Sequence, residues 1–142
     1  MNTIYAVKVE VDPVDEAVWD EWNTTQHIPE VLMQPGFIRA TKYKLDADTD
    51  WAQYLILYEL DSRASLDNYL TGDAVIRLRA DHYSRFGSSA RLSRMLLTPL
   101  VAIEKDRPAP RKKKVMKPVK SAKSTTKKTA AKKTAPKKRA RK

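Results

Sequence analysis

The chain has no cysteine. Disulfides, thiolate nucleophiles and Cys-ligated zinc or iron–sulfur sites are excluded. Its only histidines are His27 and His82, so one chain cannot supply a three-histidine metal site. Three glycines in 142 residues are too few for a glycine-rich phosphate loop. No apolar run approaches the roughly 20 residues a membrane helix needs. The start, Met1-Asn2-Thr3-Ile4-Tyr5, lacks the basic and apolar regions of a secretory signal. We expect a soluble, cytoplasmic protein with no membrane partner, no metal and no cofactor.

Acidic residues are missing from the last quarter of the chain. Up to Asp106 there are 11 basic and 17 acidic residues, a net charge of −6; from Arg107 to Lys142 there are 17 basic and none acidic. The overall +11 is thus an acidic globule carrying a basic tail, which excludes a uniformly basic nucleic-acid-binding domain. The boundary lies at Asp106-Arg107-Pro108-Ala109-Pro110, dividing the chain into a domain over 1–106 and a tail over 107–142. The tail has no aromatic residue and repeats Lys, Thr, Ala and Pro. It cannot bury enough apolar surface to offset its chain entropy, and a disordered segment is expected.

The first 106 residues read as β-α-β-β-α-β. Thr3 to Val11 alternates, with Tyr5, Val7, Val9 and Val11 on one side and Ile4, Ala6, Lys8 and Glu10 on the other. Asp12 before Pro13 reads as a helix cap. The next helix presents Val14, Ala17, Val18, Trp22, Thr25 and Leu32 on one broad face, with Asp15, Glu16, Asp20 and Glu21 outside. Pro29 predicts a break or kink near His27. Phe37 to Leu45 and Trp51 to Leu60 form a hairpin. Ser62 opens the second helix, which Thr71-Gly72-Asp73 interrupts, with Asp73 as a second cap. Val75, Leu78, His82 and Phe86 follow at helical spacing. Ser88 to Glu104 contains a fourth strand, centred on Met95 to Ile103, and Pro99 marks it as an edge strand or a bulge. The order predicts a ferredoxin-like α+β sheet with both helices on one face. The other face stays open, and a second copy packed against it would close a dimeric α/β barrel and make a homodimer.

The stretch from Trp22 through His27-Ile28-Pro29 to Pro35-Gly36-Phe37 precedes a Tyr-rich third strand ending in Tyr58-Glu59-Leu60. This pattern resembles the dimeric α/β-barrel superfamily over roughly residues 3 to 104, and is most similar to EthD-type and stress-responsive barrel proteins. The resemblance implies that His27 lies near a pocket, and it implies a bacterial source. The superfamily contains cofactor-free monooxygenases, cyclases, lyases and haem-degrading enzymes, so fold alone does not give the reaction. Haem is disfavoured: Trp51 and His82 invite the comparison, but the first strand has no Asn in its body.

His27 is the candidate general base, since a neutral imidazole accepts a proton near physiological pH. Arg39, Thr41 and Tyr43 share one strand face, and Arg39 falls near Glu59 across the hairpin. Tyr43 and Arg39 are the candidates to orient a small oxygenated ligand. His82 reads as a core histidine with one hydrogen-bond partner. Trp19, Trp22 and Trp51 read as packing anchors.

The tail resembles linker-histone tails in composition. Its cations, among them Arg111, Lys112, Lys113, Lys114, Lys127, Lys128, Lys132, Lys133, Lys137, Lys138, Arg139, Arg141 and Lys142, predict phosphate contact without base readout. With six to ten engaged, affinity falls on the order of 10³–10⁵ between 50 and 200 mM salt. Nonspecific attachment to nucleic acid, with localisation at the nucleoid, is the first functional expectation. A cofactor-independent enzyme of monooxygenase, lyase or isomerase type with His27 as base is the alternative. The acidic first helix is a competing site for the tail.

Overall fold

Period-two alternation carries through to the sheet. In the computed structural model, which describes residues 2–106, the order is β1 (Thr3–Val11), α1 (Glu16–Trp22), a π-turn (Asn23–His27), α2 (Ile28–Leu32), β2 (Phe37–Leu45), β3 (Ala52–Leu60), α3 (Arg63–Thr71), α4 (Asp73–Phe86) and β4 (Ala90–Leu97). The strands form one antiparallel sheet in the order β2-β3-β1-β4. This is the ferredoxin-like α+β arrangement the sequence predicts.

Register decides which residues face the helices. Tyr5 pairs with Tyr58, Val7 with Ile56 and Val9 with Tyr54. These residues and Leu60 sit against Trp19, Trp22, Val31, Leu66, Leu78 and Phe86 in one core. On the other side Ile4, Ala6, Leu55, Leu57, Met95 and Leu97 form an apolar field joined by Tyr43, of which Tyr43, Met95 and Leu97 are over 40% exposed.

Several local expectations shift. Asp12 caps a turn and not the helix: its carboxylate accepts from Val14 N–H at 3.0 Å, its carbonyl accepts from Asp15 N–H at 3.0 Å, and α1 begins at Glu16. The buried face of α1 is centred on Trp19 and Trp22, while Val14 and Val18 are 87% and 63% exposed. Two indoles at i and i+3 bury far more apolar area than two valines, so they set the helix rotation. The acidic side of α1 is engaged with the sheet. Glu16 accepts from Lys44 at 2.6 Å and from the Tyr54 hydroxyl at 2.7 Å, and Asp20 accepts from Lys42 at 2.6 Å.

Ser62 caps α3 as predicted, accepting from Ser65 N–H at 3.2 Å. Gly72, not Asp73, is the residue before α4, and Asp73 lies in its first turn. β4 ends at Leu97, earlier than the predicted Met95 to Ile103 centre. Pro99 offers no N–H to a ladder, and β4 lies at the sheet edge, where such a stop is tolerated. Gly36 starts β2 with φ +87°, a left-handed conformation that glycine adopts without strain. Among the described residues no helix is long and apolar enough to cross a membrane.

Candidate functional site

The helix carrying His27 does not break. In a regular α-helix the Pro29 ring would press on the carbonyl four residues earlier. The chain instead widens to a π-turn, in which Ile28 N–H reaches back five residues to the Asn23 carbonyl. Backbone angles stay helical from Trp22 through Ile28. Such single π-turns recur at functional sites. Asn23 and His27, at the two ends of this one, both line the chamber between helices and sheet. His27 therefore lines the chamber through a widened turn.

The chamber is small, about 40 Å³, room for a few ligand atoms or about three waters. Val7, Ile56, Leu78 and Leu92 supply apolar wall, and Tyr5, Tyr58 and Tyr69 supply aromatic wall. Trp22 lies under its histidine side, with ring centroids 4.9 Å from His27 and 5.5 Å from His82. The two imidazole centroids are 5.9 Å apart.

His82 has a fixed tautomer. Trp19 Nε1–H donates to His82 Nε2 at 3.0 Å. An indole nitrogen only donates, so Nε2 carries the lone pair and Nδ1 the proton. Burial, then the neighbouring His27 and Arg94, push His82 down to about 4. It has the one hydrogen-bond partner the sequence suggested, and it also lines the chamber. Burial also lowers His27 below the ordinary histidine value, against a smaller opposing pull from Glu30 and Asp81. Both rings are therefore held toward the neutral form, the state in which imidazole acts as a base.

Two polar atoms of residues that line the chamber lack partners among the described residues: Asn23 Oδ1 and His27 Nδ1 are buried and make no hydrogen bond there. Buried polar atoms are nearly always paired, so these two point to an occupant. Burial raises Tyr69 to about 12 and raises Tyr58 further, so both phenols stay protonated. At the rim, Arg79 and Arg94 border the chamber and two flanking clefts of about 240 and 350 Å³.

Tyr43 and Arg39 do not join His27. They lie on the open face of the sheet, opposite Leu55 and Glu59. The predicted Arg39–Glu59 pair is formed, with the guanidinium against the carboxylate. Within one chain, strand parity places Tyr43 and Arg39 on the far side of the sheet from His27. The tail cations from Arg111 to Lys142 lie outside the described residues.

Sequence reasoning missed Asn23, Arg79 and Arg94. Their signals were present. Asn23 stands four residues before His27 on the Trp side of α1, and Arg94 interrupts the inward series Ala90, Leu92, Leu96. Arg79 follows Val75 by four on the helix face that carries His82.

Residues 2–100 match the family described as a domain of unknown function, DUF4286. No curated protein matches the chain in sequence. Among solved structures, the chain is similar to an EthD-family protein from Bacillus halodurans, with 17% identity, TM-score 0.54, and 69% of this chain and 99% of that one covered. It is also similar to a variant of SnoaB, a cofactor-independent oxygenase from Streptomyces nogalater, at 13% identity and TM-score 0.56, covering 74% and 100%. A de novo designed protein matches at 7% identity and TM-score 0.50, covering 70% and 100%. Likeness at this level establishes the fold, and the designed protein shows how little more it carries.

Proposed function

The chain belongs to the DUF4286 family, and on that premise we propose that its chamber performs cofactor-independent chemistry on a small organic molecule, with His27 as general base. One observation carries this reading: a neutral, half-buried imidazole with an unpartnered Nδ1 shares a cavity with an unpartnered Asn23 Oδ1. The cofactor-independent oxygenase among the structural neighbours supports it. The step is a proton transfer. A C–H or O–H bond of the ligand breaks, the electron pair stays on the ligand as an enolate or phenolate, and the proton passes to His27. The ligand anion then rearranges, expels a group or reacts with dioxygen, according to the reaction type.

A panel of carbonyl and phenol compounds incubated in D₂O tests this by NMR. Wild-type protein is expected to exchange an acidic C–H, and His27→Gln, with an unchanged melting temperature, to lose about 10²–10⁴-fold of the rate. A His27→Gln protein that exchanges at the wild-type rate overturns the assignment.

The apolar field on the open sheet face supports a second copy packed sheet to sheet, which would enclose Tyr43 and Arg39 between the two. Leu57→Arg is expected to yield a monomer in sedimentation analysis, and a wild-type chain that is itself monomeric at 50 μM or so refutes the pairing. The basic tail supports a separate reading, nonspecific nucleic-acid attachment. Its support is charge alone, and neither the family match nor the neighbours add to it.

A further inference from the structure

The proton-transfer reading leaves the ligand's chemical class open, and the inference here rests on that reading's placement of the ligand in the chamber. We propose that the site takes a small hydroxylated organic acid, a hydroxyaryl carboxylate in its simplest form, with the hydroxyl inside the chamber and the carboxylate on Arg79 and Arg94.

The inner pole is defined by Asn23. The residue is 2% exposed and its Oδ1 has no partner. An amide oxygen only accepts, so the occupant must bring an O–H or N–H. His82 also lines the chamber and, because Trp19 holds its other nitrogen, has its Nδ1–H left to donate. A group that donates to Asn23 and accepts from His82 is a hydroxyl, with one hydrogen and two lone pairs. A cationic amine satisfies Asn23 but not His82, and it would meet two arginines at the rim.

The outer pole is defined by contrast. Seven arginines lie in the described residues. Arg39, Arg63, Arg77 and Arg85 each have a carboxylate within 4.0 Å, and Arg91 stacks over Trp51 at 4.2 Å. Arg79 and Arg94 have neither among the described residues. In a domain with six more acidic than basic residues up to Asp106, leaving these two unpaired needs a reason. They come from different elements, α4 and β4, yet both border the chamber and both flanking clefts. Two guanidiniums bordering the same chamber and the same clefts suit a carboxylate. Outside the chamber, the cleft of about 350 Å³ that shares His82, Arg79 and Arg94 with it is walled by Ala90 and Leu92, and it has the room for a flat hydrocarbon middle that the chamber lacks.

The test is an NMR titration of the full chain at 150 mM salt. The probes are 3-hydroxybenzoate, 4-hydroxybenzoate and 4-hydroxyphenylacetate, each beside its methyl ester and the acid lacking the hydroxyl. At least one hydroxy acid is expected to bind about tenfold or more tighter than both of its analogues, the worth of one hydrogen bond to a charged or buried group. In an Arg79→Gln/Arg94→Gln protein the preference for acid over ester is expected to vanish while ester binding persists. Both arginines are exposed, so folding is not at stake, and the tail is common to both proteins, so the difference belongs to the rim. In Asn23→Ala the preference for the hydroxyl is expected to fall away; a melting curve checks that it folds. An ester that binds as tightly as its acid, or no binding by any hydroxy acid, overturns the proposal. Wild-type protein that binds the acid but exchanges no proton overturns only the catalytic reading. Exchange on neutral compounds without any preference for acids overturns only the ligand class.

Discussion

Acid should weaken this fold chiefly through His82, with His27, also lowered by burial, acting in the same direction. His82 is 4% exposed and is pushed down to about 4 from an ordinary 6.5. The unfolded chain therefore binds a proton at a pH where the folded chain does not. Stability from this group is fully present above pH 6.5 and is lost as pH falls toward 4. Between pH 7.5 and 5 the linkage amounts to about 2 kcal/mol. For a domain of this size that is a drop in melting temperature of roughly 8–16 °C. Structurally, the added proton must sit on Nε2, where it meets Trp19 N–H at 3.0 Å, and that hydrogen bond breaks. The assay is urea denaturation followed by tryptophan fluorescence across pH 4.5 to 8, on wild-type protein and His82→Gln. The amide oxygen of glutamine still accepts from Trp19 but does not titrate. His82→Gln is expected to be less stable at pH 7.5 and to show a slope shallower by about one proton between pH 6.5 and 4.5. Carboxylates such as Glu16, held low chiefly by Lys44, titrate in both proteins and cancel in the difference. Parallel curves for the two proteins would refute the argument.

Gly36→Ala should cost about 1–3 kcal/mol in the same denaturation experiment, because φ is +87° and an added Cβ would stand 2.3 Å from Ser65 Cβ. Removal of residues 107–142 should abolish binding to duplex DNA and to RNA in fluorescence anisotropy, and the full chain should lose on the order of 10³-fold affinity or more between 50 and 200 mM salt. Salt-insensitive binding, or binding retained by residues 1–106, would contradict the tail reading.

How much of this was legible in the sequence differs by level. Strand alternation gave the four strands and their parity, since a period of two survives in every residue from Tyr5 to Val11. It could not say which parity faces the helices, because Arg39, Thr41 and Tyr43 form as plausible an inner set as Ala40, Lys42 and Lys44. That choice is made by helix packing at long range. The rotation of α1 was misread for a similar reason: Val14 and Val18 fit an apolar stripe, but the sizes of Trp19 and Trp22 decide the contest. His27 was found because Pro29 announces trouble in a helix. That the trouble is settled by a widened turn follows from the whole segment staying packed on β2, which no local signal records. Arg79 and Arg94 became visible only when the carboxylate partners of the other arginines were known.

The π-turn bears on how this helix can be interrupted. Between Trp22 and Ile28 the helix contains one residue more than a regular spiral would use, and that surplus lets the helix run on through Pro29 without its ring pressing on the carbonyl four residues before it. Information about the helix is thus stored partly as a length. Excising one residue from Thr24-Thr25-Gln26 would keep every strand, every core aromatic, and both Asn23 and the histidine in the text of the chain. Yet the turn would close to α geometry, and the Pro29 ring would meet that carbonyl. A relative with the same proline and a single gap here would share the fold and have to kink or break ahead of the proline. Among chains of this architecture, a count of residues across this turn separates members whose helix runs on through the proline from those in which it is interrupted.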